Sequence, residues 1–417
     1  MSAAAPLADA LREALAFEPL GERAGNVTIG RGTLESRPVR AAFVENRAAS
    51  GSLGRLECER LAALFAVCAR ERTALVLFLD SAGAKLSEGV AALGAFRKLY
   101  RAGLDAVFAG VPVAAILGKN CFGGSSMLAH LARERLFDAG TQLAMSGPSI
   151  LATASGTTVM DEMFAAMAQA AISSAARAKA TSANRIWAAG DDVRPWLREA
   201  LVPGGDAAAA LRLRHEALAL RLPKQAPGAR PEAVRRRDLE KIYAQGYEAN
   251  EIHGVLNGTG RRDGAEERFV GIVGKSPLGA HRAWHFSESV WQLAANPPAR
   301  IEVLLDCATH AARLDDERIV LTEFVVDMAF ALSAAAAAGA RVGLTVVGQA
   351  SGGVYVALAA PAARVTSVYG ANIQVLPGAA VAAILGESRE ETPAFADYRA
   401  SGVADEELKL GFVPKMP

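Results

Sequence analysis

The stretch Val111-Pro-Val-Ala-Ala-Ile-Leu-Gly118 is apolar, and Cys121-Phe-Gly-Gly-Ser-Ser-Met-Leu-Ala-His130 follows it. Such an apolar run is typical of a buried parallel strand, and paired glycines before small residues are typical of a tight turn into a helix. A second apolar run, Ala74-Leu-Val-Leu-Phe-Leu-Asp80, precedes this stretch, and Met145-Ser-Gly-Pro148 comes after it. The order of strand, helix, strand, glycine turn and helix predicts an α/β unit with a parallel sheet.

The second half of the chain repeats this order of segments. Its strand is Ile301-Glu-Val-Leu-Leu-Asp306, a helix is expected from Glu317 to Gly339, and its glycine turn is Ala350-Ser-Gly-Gly353. The matching distances are 25 positions from Gly123 to Pro148 and from Gly352 to Pro377, and 43 positions from Asp80 to Gly123 against 46 from Asp306 to Gly352. An ordered series of matching distances predicts two tandem α/β domains related by internal duplication.

The segment between the two halves has the composition of a linker. It reads Leu222-Pro-Lys-Gln-Ala-Pro-Gly-Ala-Arg-Pro231 and is rich in proline and polar residues. The sequence therefore predicts a first domain over residues 1–221, a linker over 222–235 and a second domain over 236–417. Each half is long enough to form its own core.

The composition excludes several classes of protein. The 45 basic residues balance 44 acidic ones, which argues against a nucleic-acid partner. The most apolar stretch, Phe324 to Ala340, contains Asp327 and predicts a buried helix rather than a membrane span. No N-terminal signal pattern is visible, so we expect a cytoplasmic protein. The four scattered cysteines form no C-x-x-C pair, so no metal site is expected.

The paired glycines predict a site where backbone amides meet an anion. Amides at the start of a helix are unpaired and lie at the positive end of the helix dipole, which suits a phosphate or a developing oxyanion. Neither glycine turn has the lysine position of a Walker loop or the spacing of a dinucleotide-binding fingerprint. An oxyanion is therefore favoured over a phosphate, although paired glycines can also serve only close packing of a helix on a strand.

The residues around these turns resemble a known family. Leu79-Asp-Ser-Ala-Gly-Ala-Lys-Leu-Ser-Glu-Gly89 resembles the D-S-G-G-A-R-x-x-E-G stretch of acyl-CoA carboxyltransferases, which are members of the crotonase superfamily. The first half is similar to the β subunit of biotin-independent malonate decarboxylase, and the second half is similar to its γ subunit through Ala350-Ser-Gly-Gly353 and Pro377-Gly-Ala-Ala-Val-Ala-Ala-Ile384. The resemblance implies fused β and γ subunits, built as two tandem crotonase-like domains (the ClpP/crotonase ββα superhelix) that face each other.

The resemblance also implies an activity. A malonyl thioester would lose CO2 to give an acetyl thioester, through an enolate held in a backbone oxyanion hole. No cofactor would be bound directly, because the substrate would be carried on CoA or on the phosphopantetheine-like arm of an acyl carrier protein. The chain would work as an oligomer or in a complex with other decarboxylase subunits. Two alternatives stay open, a biotin-dependent acyl-CoA carboxyltransferase and a catalytically silent assembly subunit.

Site residues are carried over from the family motifs. In the first half the resemblance implies donors in the two turns, and substrate contacts beside them. The expected residues of the first half are Ala82, Gly83, Phe122, Gly123 and Gly124 as donors and Lys85, Lys119, Ser146 and Gly147 as substrate contacts. The expected residues of the second half are Ser351, Gly352, Gly353 and His310, with the turn Ala308–Thr309.

The second half departs from the family pattern at its first turn. It reads Cys307-Ala-Thr-His310 where the γ subunit has T-P-G, and the β-carbon of Thr309 is expected to obstruct a close approach. His310 is either an acid/base group or a structural histidine. The enolate carbon would be protonated by bound water, Glu88 or His310.

Overall fold

The computed structural model describes residues 6–156, 161–224, 236–385 and 393–410. Most of the predicted linker at 222–235 lies outside these ranges. The described residues form two eight-stranded sheets, the first over residues 18–186 and the second over residues 247–408. Helices cover the faces of both sheets.

The first sheet contains the strands β1 (Glu18–Pro19), β2 (Val27–Leu34), β3 (Arg37–Val44), β4 (Ala74–Ser81), β5 (Val113–Phe122), β6 (Glu134–Phe137), β7 (Gln142–Ala144) and β8 (Asn184–Ile186). The second contains β9 (Tyr247–Ile252), β10 (Val255–Arg262), β11 (Ala265–Lys275), β12 (Arg300–Cys307), β13 (Arg341–Ser351), β14 (Arg364–Val368), β15 (Asn372–Gln374) and β16 (Glu406–Leu408).

The helices up to residue 224 are α1 (Pro6–Ala14), α2 (Arg55–Glu71), α3 (Gly89–Phe108), α4 (Gly124–Ala129), α5 (Pro148–Ala154), α6 (Glu162–Ile172), α7 (Ser174–Ala180), α8 (Arg194–Ala200) and α9 (Ala207–Ala219). The later helices are α10 (Arg236–Ile242), α11 (Ala280–Ala295), α12 (Leu314–Arg318), α13 (Leu321–Ala337), α14 (Gly352–Ala359), α15 (Gly378–Leu385) and α16 (Phe395–Ser401). Short 3₁₀ turns occupy Ala49–Gly51 and Leu86–Glu88.

The two sheets have the same strand order. The first runs β1-β2-β3-β4-β5-β6-β8 with β7 paired to β5, and the second runs β9-β10-β11-β12-β13-β14-β16 with β15 paired to β13. In each sheet an antiparallel hairpin is followed by parallel strands. The prediction of an α/β fold with two tandem units related by duplication is therefore confirmed.

The strand register aligns the two halves residue by residue. Leu79 pairs with Leu117 and Leu305 pairs with Val346, and each ladder then shifts before its last pair. In this alignment Asp80 of β4 is the equivalent of Asp306 of β12. The paired glycines after β5 and β13 correspond in the same way, and Gly123 and Gly352 share a φ of +53°.

Two helices differ from the lengths predicted by the sequence pattern. The helix expected from Glu317 to Gly339 is divided into α12 and α13, because Val320 adopts a left-handed conformation with φ +65°. The predicted buried helix over the apolar stretch is α13, which is buried along most of its length. In the described part of the chain no helix combines the length and the apolar character needed to cross a membrane.

The two halves share one hydrophobic core. A single cluster of buried side chains includes Leu99 and Met127 of the first half and Phe324 and Tyr355 of the second. Helices of each half also pack on the other half, α6 on α12 and α16 on α3. The surface between the halves is therefore a built interface, and the glycine turns of both halves lie on it.

Candidate active site

A cavity of about 450 Å³ lies between the two halves at the glycine turns. Its wall is largely apolar and includes Leu93, Phe96, Met127 and Met145. Among the predicted site residues, the wall contains Ala82, Lys85, Phe122, Gly123, Gly124 and Gly147 of the first half and His310, Gly352 and Gly353 of the second. The wall does not include four other predicted site residues, Gly83, Lys119, Ser146 and Ser351.

The two turns of the first half are in contact with each other. A β-carbon on Gly83, whose φ is +99°, would lie 2.8 Å from the Phe122 carbonyl oxygen and 3.3 Å from the Gly124 nitrogen. The Ser125 hydroxyl also donates to the Ser81 hydroxyl at 2.7 Å, which ties the end of β4 to the start of α4. Glycine at position 83 is therefore required both for the backbone conformation and for the close approach.

Three of the predicted donor amides are already engaged. The Ala82 N–H donates to the Ser50 carbonyl at 2.9 Å, and the Gly83 N–H donates to the Ser81 hydroxyl at 3.1 Å. The Gly123 N–H donates to the carbonyls of Ala144 and Met145, each at 3.2 Å. These contacts correct the expected donor set, because an amide held by a protein acceptor is not free to stabilise an oxyanion.

Two amides in the turns of the first half remain free at the cavity. Ala84 and Gly124 both line the cavity, and neither N–H has a hydrogen-bond acceptor among the described residues. Gly124 is the first residue of α4, where a helix offers no carbonyl to its amides. The Ala84 donor was missed by the sequence analysis, because only the hydrogen bonds of the turn show which amide faces the cavity. The available signal for this turn was the run of four small residues, Ser81-Ala-Gly-Ala84.

The corresponding turn of the second half carries a side chain where the first half has glycine. Leu53 N–H donates to the Gly83 carbonyl at 2.8 Å, and Leu278 N–H donates to the Thr309 carbonyl at 2.9 Å, so Thr309 occupies the position of Gly83. Thr309 therefore places a β-carbon where the first half has none. The Ser351 hydroxyl donates to the Ala308 carbonyl at 2.6 Å and is directed away from the cavity.

His310 is the ionisable group of the second half in the cavity wall. Its Nε2 shares a hydrogen bond with the Ser146 hydroxyl at 2.8 Å, and its Nδ1 lies 3.4 Å from the Thr309 hydroxyl. Burial lowers the pKa of His310 to about 4, so the imidazole is neutral near pH 7. The structure thus places Ser146, a predicted substrate contact, behind His310 rather than against the cavity.

The predicted lysine contacts differ in their surroundings. Lys85 lies in the cavity wall with its Nζ 3.0 Å from the Glu88 carboxylate, and this hydrogen bond raises the pKa of Lys85. Glu88 also accepts the Arg55 N–H at 2.7 Å. Lys119 is exposed at the end of β5, outside the wall. Lys85 is therefore already paired, and Glu88 is held away from a proton-transfer position.

Comparisons with known proteins find similarity to carboxyltransferases, most of it in the first half of the chain. The model of the carboxyl transferase domain matches residues 5–181. The methylmalonyl-CoA carboxyltransferase 12S subunit of Propionibacterium freudenreichii subsp. shermanii is 30% identical over 36% of this chain and 29% of its own length. The biotin-dependent acetyl-/propionyl-coenzyme A carboxylase beta5 subunit of Mycobacterium leprae is 25% identical over 62% of this chain and 48% of its own length.

A solved structure resembles about half of the chain. A Pseudomonas malonate decarboxylase hetero-tetramer in complex with malonate is 21% identical over 53% of this chain and 91% of that chain, with a TM-score of 0.45. The chain covers less than half the length of each of the two curated relatives named above.

Proposed function

We propose that this chain removes CO2 from a malonyl thioester and leaves an acetyl thioester. The observation that carries the proposal is the pair of free amides of Ala84 and Gly124 at an apolar cavity between the two halves. When the carboxylate leaves as CO2, its electron pair forms an enolate whose negative charge lies on the thioester oxygen. Amides fixed in advance stabilise that charge, and each is worth roughly 3 kcal/mol or about a hundredfold in rate.

The apolar wall supports decarboxylation because it offers no free cation to stabilise the carboxylate of the bound substrate. Among the described residues Lys85 is the only lysine or arginine in the wall, and it is paired with Glu88. A malonyl carboxylate in this cavity would meet no free cation, whereas the developing oxyanion would meet two amides. Interactions that favour the transition state over the bound substrate are those that raise kcat.

His310 supplies the proton in this proposal. The thioester α-carbon is a far weaker acid than an imidazole N–H, so a neutral imidazole is acid enough to protonate the enolate carbon. With the Ser146 hydroxyl donating to Nε2, the N–H is at Nδ1, whose contact with the Thr309 hydroxyl is long at 3.4 Å. This Nδ1–H bond breaks as the new C–H bond forms, and solvent returns the proton to the imidazole. The lowered pKa of His310 keeps the group neutral, so it does not hold the substrate carboxylate as an ion pair.

The carrier of the substrate and the assembly belong to the same proposal. The thioester would be carried on CoA or on the arm of an acyl carrier protein. The similarity to proteins described as subunits supports a chain that works in a larger complex. No cofactor bound to this chain is needed for the electron movement described above.

A biotin-dependent acyl-CoA carboxyltransferase is the second candidate, and the two curated relatives favour it. Transfer of a carboxyl group from biotin to an acyl thioester develops charge on two oxygens, one on each substrate, and so calls for two open cradles. Thr309 has a β-carbon at the position of Gly83, and that β-carbon would obstruct an acyl oxygen at the second cradle. This obstruction is the reason for preferring decarboxylation.

The test is to incubate the purified chain with malonyl-CoA and, separately, with a malonylated carrier protein, and to follow acetyl thioester by mass spectrometry. Acetyl thioester formed in the presence of avidin supports the proposal. Activity that needs biotin and is abolished by avidin supports the carboxyltransferase instead. Binding of partner subunits without turnover of either substrate would indicate an assembly subunit.

A further inference from the structure

A chain of buried polar contacts leads from the cavity wall across the interface between the two halves. His310 of the second half is bonded to the Ser146 hydroxyl of the first half, at 2.8 Å. The Ser146 N–H donates to Glu317 Oε1 of the second half at 2.9 Å. Glu317 Oε2 in turn accepts from Arg177 of the first half at 3.0 Å. The contacts therefore cross the interface three times.

The members of this chain are removed from solvent. Ser146, Glu317 and Arg177 are fully buried, and His310 is 5% exposed. Arg177 also donates to the Glu317 carbonyl and, through Nε, to the Leu143 carbonyl at 2.6 Å. Leu143 belongs to β7, the strand that leads into Ser146, so Arg177 and Glu317 together fix both the backbone and the amide of the serine.

The two oxygens of Glu317 have different partners, and this division indicates a positioning role. A buried ion pair alone adds little stability over apolar residues of the same volume, because desolvation offsets the attraction between the charges. Here one carboxylate oxygen holds the arginine and the other holds the amide of the residue that touches the imidazole. The ion pair thus sets where the Ser146 hydroxyl lies, and the hydroxyl sets the orientation of the His310 ring.

We infer that Glu317, paired with Arg177 from the other half, is a positioning residue that acts through Ser146 on the imidazole of His310. The inference rests on the proposed function, since it gives His310 its orientation for proton delivery. It also means that the proton donor is complete only when the two halves are docked, because each half supplies alternate members of the contact chain.

Three variants separate positioning from a loss of folding. Ser146→Ala removes only the hydroxyl on the imidazole. Glu317→Gln keeps an oxygen that can accept the Ser146 N–H. The double variant Arg177→Met/Glu317→Leu removes both charges together, so no unpaired charge is left in the interior.

A matched control exists at the other side of the interface. Asp405 of the second half accepts the Val365 N–H at 2.7 Å and Arg97 of the first half at 3.3 Å, both at Oδ2, so this half-exposed pair also joins the halves but has no link to His310. Arg97→Met/Asp405→Leu therefore measures what the loss of one such pair does to the interface in general.

Two readouts are measured on the full chain, kcat and KM for the malonyl thioester and the ¹⁵N chemical shifts of the His310 imidazole. We expect Ser146→Ala and the Arg177→Met/Glu317→Leu variant to lower kcat about tenfold or more with little change in KM. Their His310 nitrogen shifts should move away from those of the wild type. Glu317→Gln leaves Arg177 without its anionic partner, so its kcat and shifts should also change, whereas the Arg97→Met/Asp405→Leu control should retain both.

The inference is overturned if the Arg177→Met/Glu317→Leu variant keeps the wild-type His310 shifts, or if the control variant lowers kcat as much. A wild-type chain that decarboxylates no malonyl thioester would refute the proposed function. In that case the ¹⁵N shifts would still decide whether Glu317 orients His310, so the two failures are distinguishable.

Discussion

At Gly83 and Gly123 the backbone adopts conformations that a residue with a side chain rarely takes. Gly123 has φ +53° and ψ −125°, outside the small left-handed region that other residues can occupy. Its peptide unit leads directly into Gly124, whose amide is one of the two free donors at the cavity. The direction of that donor therefore depends on a glycine one residue earlier.

We predict that Gly123→Ala lowers kcat at least about a hundredfold, which is the effect of losing one oxyanion donor. The added β-carbon has room, since its nearest neighbour is the Met145 carbonyl at 3.9 Å, so the strain falls on the backbone. Relief of the strain would rotate the peptide and turn the Gly124 N–H away from the cavity. The measurement is the steady-state rate of acetyl thioester formation.

Gly339→Ala is the control for this prediction. Gly339 has φ +109° and open space around it, and it lies at the end of α13 away from the cavity. We expect it to lose stability from the same kind of backbone strain while kcat stays unchanged. An equal loss of kcat in both variants would show that the effect is one of folding.

A second prediction concerns the pH dependence contributed by His310. Burial lowers the pKa of this imidazole to about 4, below the unfolded value of about 6.5, so the folded chain binds fewer protons between these pH values. The contribution of His310 to stability is therefore complete above pH 6.5 and declines as the pH falls towards 4. In His310→Gln the urea midpoint should fall less steeply over this range than in the wild type.

The comparison of wild type with His310→Gln is needed because other histidines also have lowered pKa values and contribute the same kind of pH dependence. Burial also lowers the pKa of His285, to about 4, and that of His130. Only the difference between the two pH profiles belongs to His310. Identical profiles for wild type and His310→Gln would contradict a buried neutral imidazole.

Among the elements, α9 shows how the end of the first half is anchored on the second half. His215 of α9 bonds through Nδ1 to Asp327 of α13 at 2.7 Å and through Nε2 to Glu288 of α11 at 2.9 Å. Trp284 stacks on the imidazole with a centroid distance of 5.1 Å. These contacts explain why an aspartate stands in the most apolar stretch of the sequence, since Asp327 is the buried partner of a histidine.

We predict that His215 has the opposite pH dependence from His310. Although burial opposes it, the hydrogen bonds to Asp327 and Glu288 raise the pKa of His215 above its usual value. Its contribution to stability is therefore complete below pH 6.5 and is lost as the pH rises through the folded-state pKa. Urea midpoints between pH 6 and 9 should show a decline in the wild type that is absent in His215→Gln.

The same variant should be less stable at pH 6 by about 3 kcal/mol, because it leaves Asp327 buried without its cationic partner. The double variant His215→Leu/Asp327→Leu removes that unpaired charge and should recover much of the loss. If the single and double variants are equally unstable, the contacts of α9 stabilise the fold by packing alone.

For the whole molecule, the decisive feature is the close contact between the halves. Gly94 of α3 lies against the second half, and a β-carbon on it would be 2.0 Å from the Ser401 carbonyl oxygen. Gly353 is similarly placed, with a β-carbon position 3.1 Å from the sulfurs of Met127 and Met145. Small residues thus let the two halves approach closely enough to enclose the cavity.

We predict that Gly94→Ala destabilises the protein by about 1–3 kcal/mol, the usual cost of overpacking. This sign is the reverse of the ordinary effect, since alanine within a helix is normally favoured over glycine by about 1 kcal/mol. The backbone of α16 must move away, and the cavity between the halves widens. The midpoint temperature of thermal unfolding and the rate of acetyl thioester formation should both decrease.

Gly103→Ala provides the comparison within the same helix. A β-carbon there would meet the end of the Leu131 side chain at 2.5 Å, which can rotate away at lower cost than a backbone carbonyl. We therefore expect Gly103→Ala to be better tolerated than Gly94→Ala. The reverse order of stabilities would show that the contact between α3 and α16 does not hold the halves together.

The sequence by itself determined the duplicated α/β architecture and the location of the glycine turns. Apolar runs and paired glycines at repeated spacings are local features, and each half must bury its strands in the same way whatever surrounds it. The side chain at Thr309, in the place of Gly83, was also predictable, because a β-carbon is a property of the residue. The division of the second-half helix was not, since nothing local marks Val320 for a left-handed conformation.

Only the tertiary structure decided which groups face the cavity. In the turns of the first half, the free amides at the cavity are those of Ala84 and Gly124 rather than those of Ala82 and Gly83, because the carbonyl of Ser50 and the hydroxyl of Ser81 already hold the latter two. The contact between Ser146 and His310 joins residues 164 positions apart and exists only across the docked halves. Hydrogen bonds between distant segments depend on how the halves pack, and residue spacing does not record that packing.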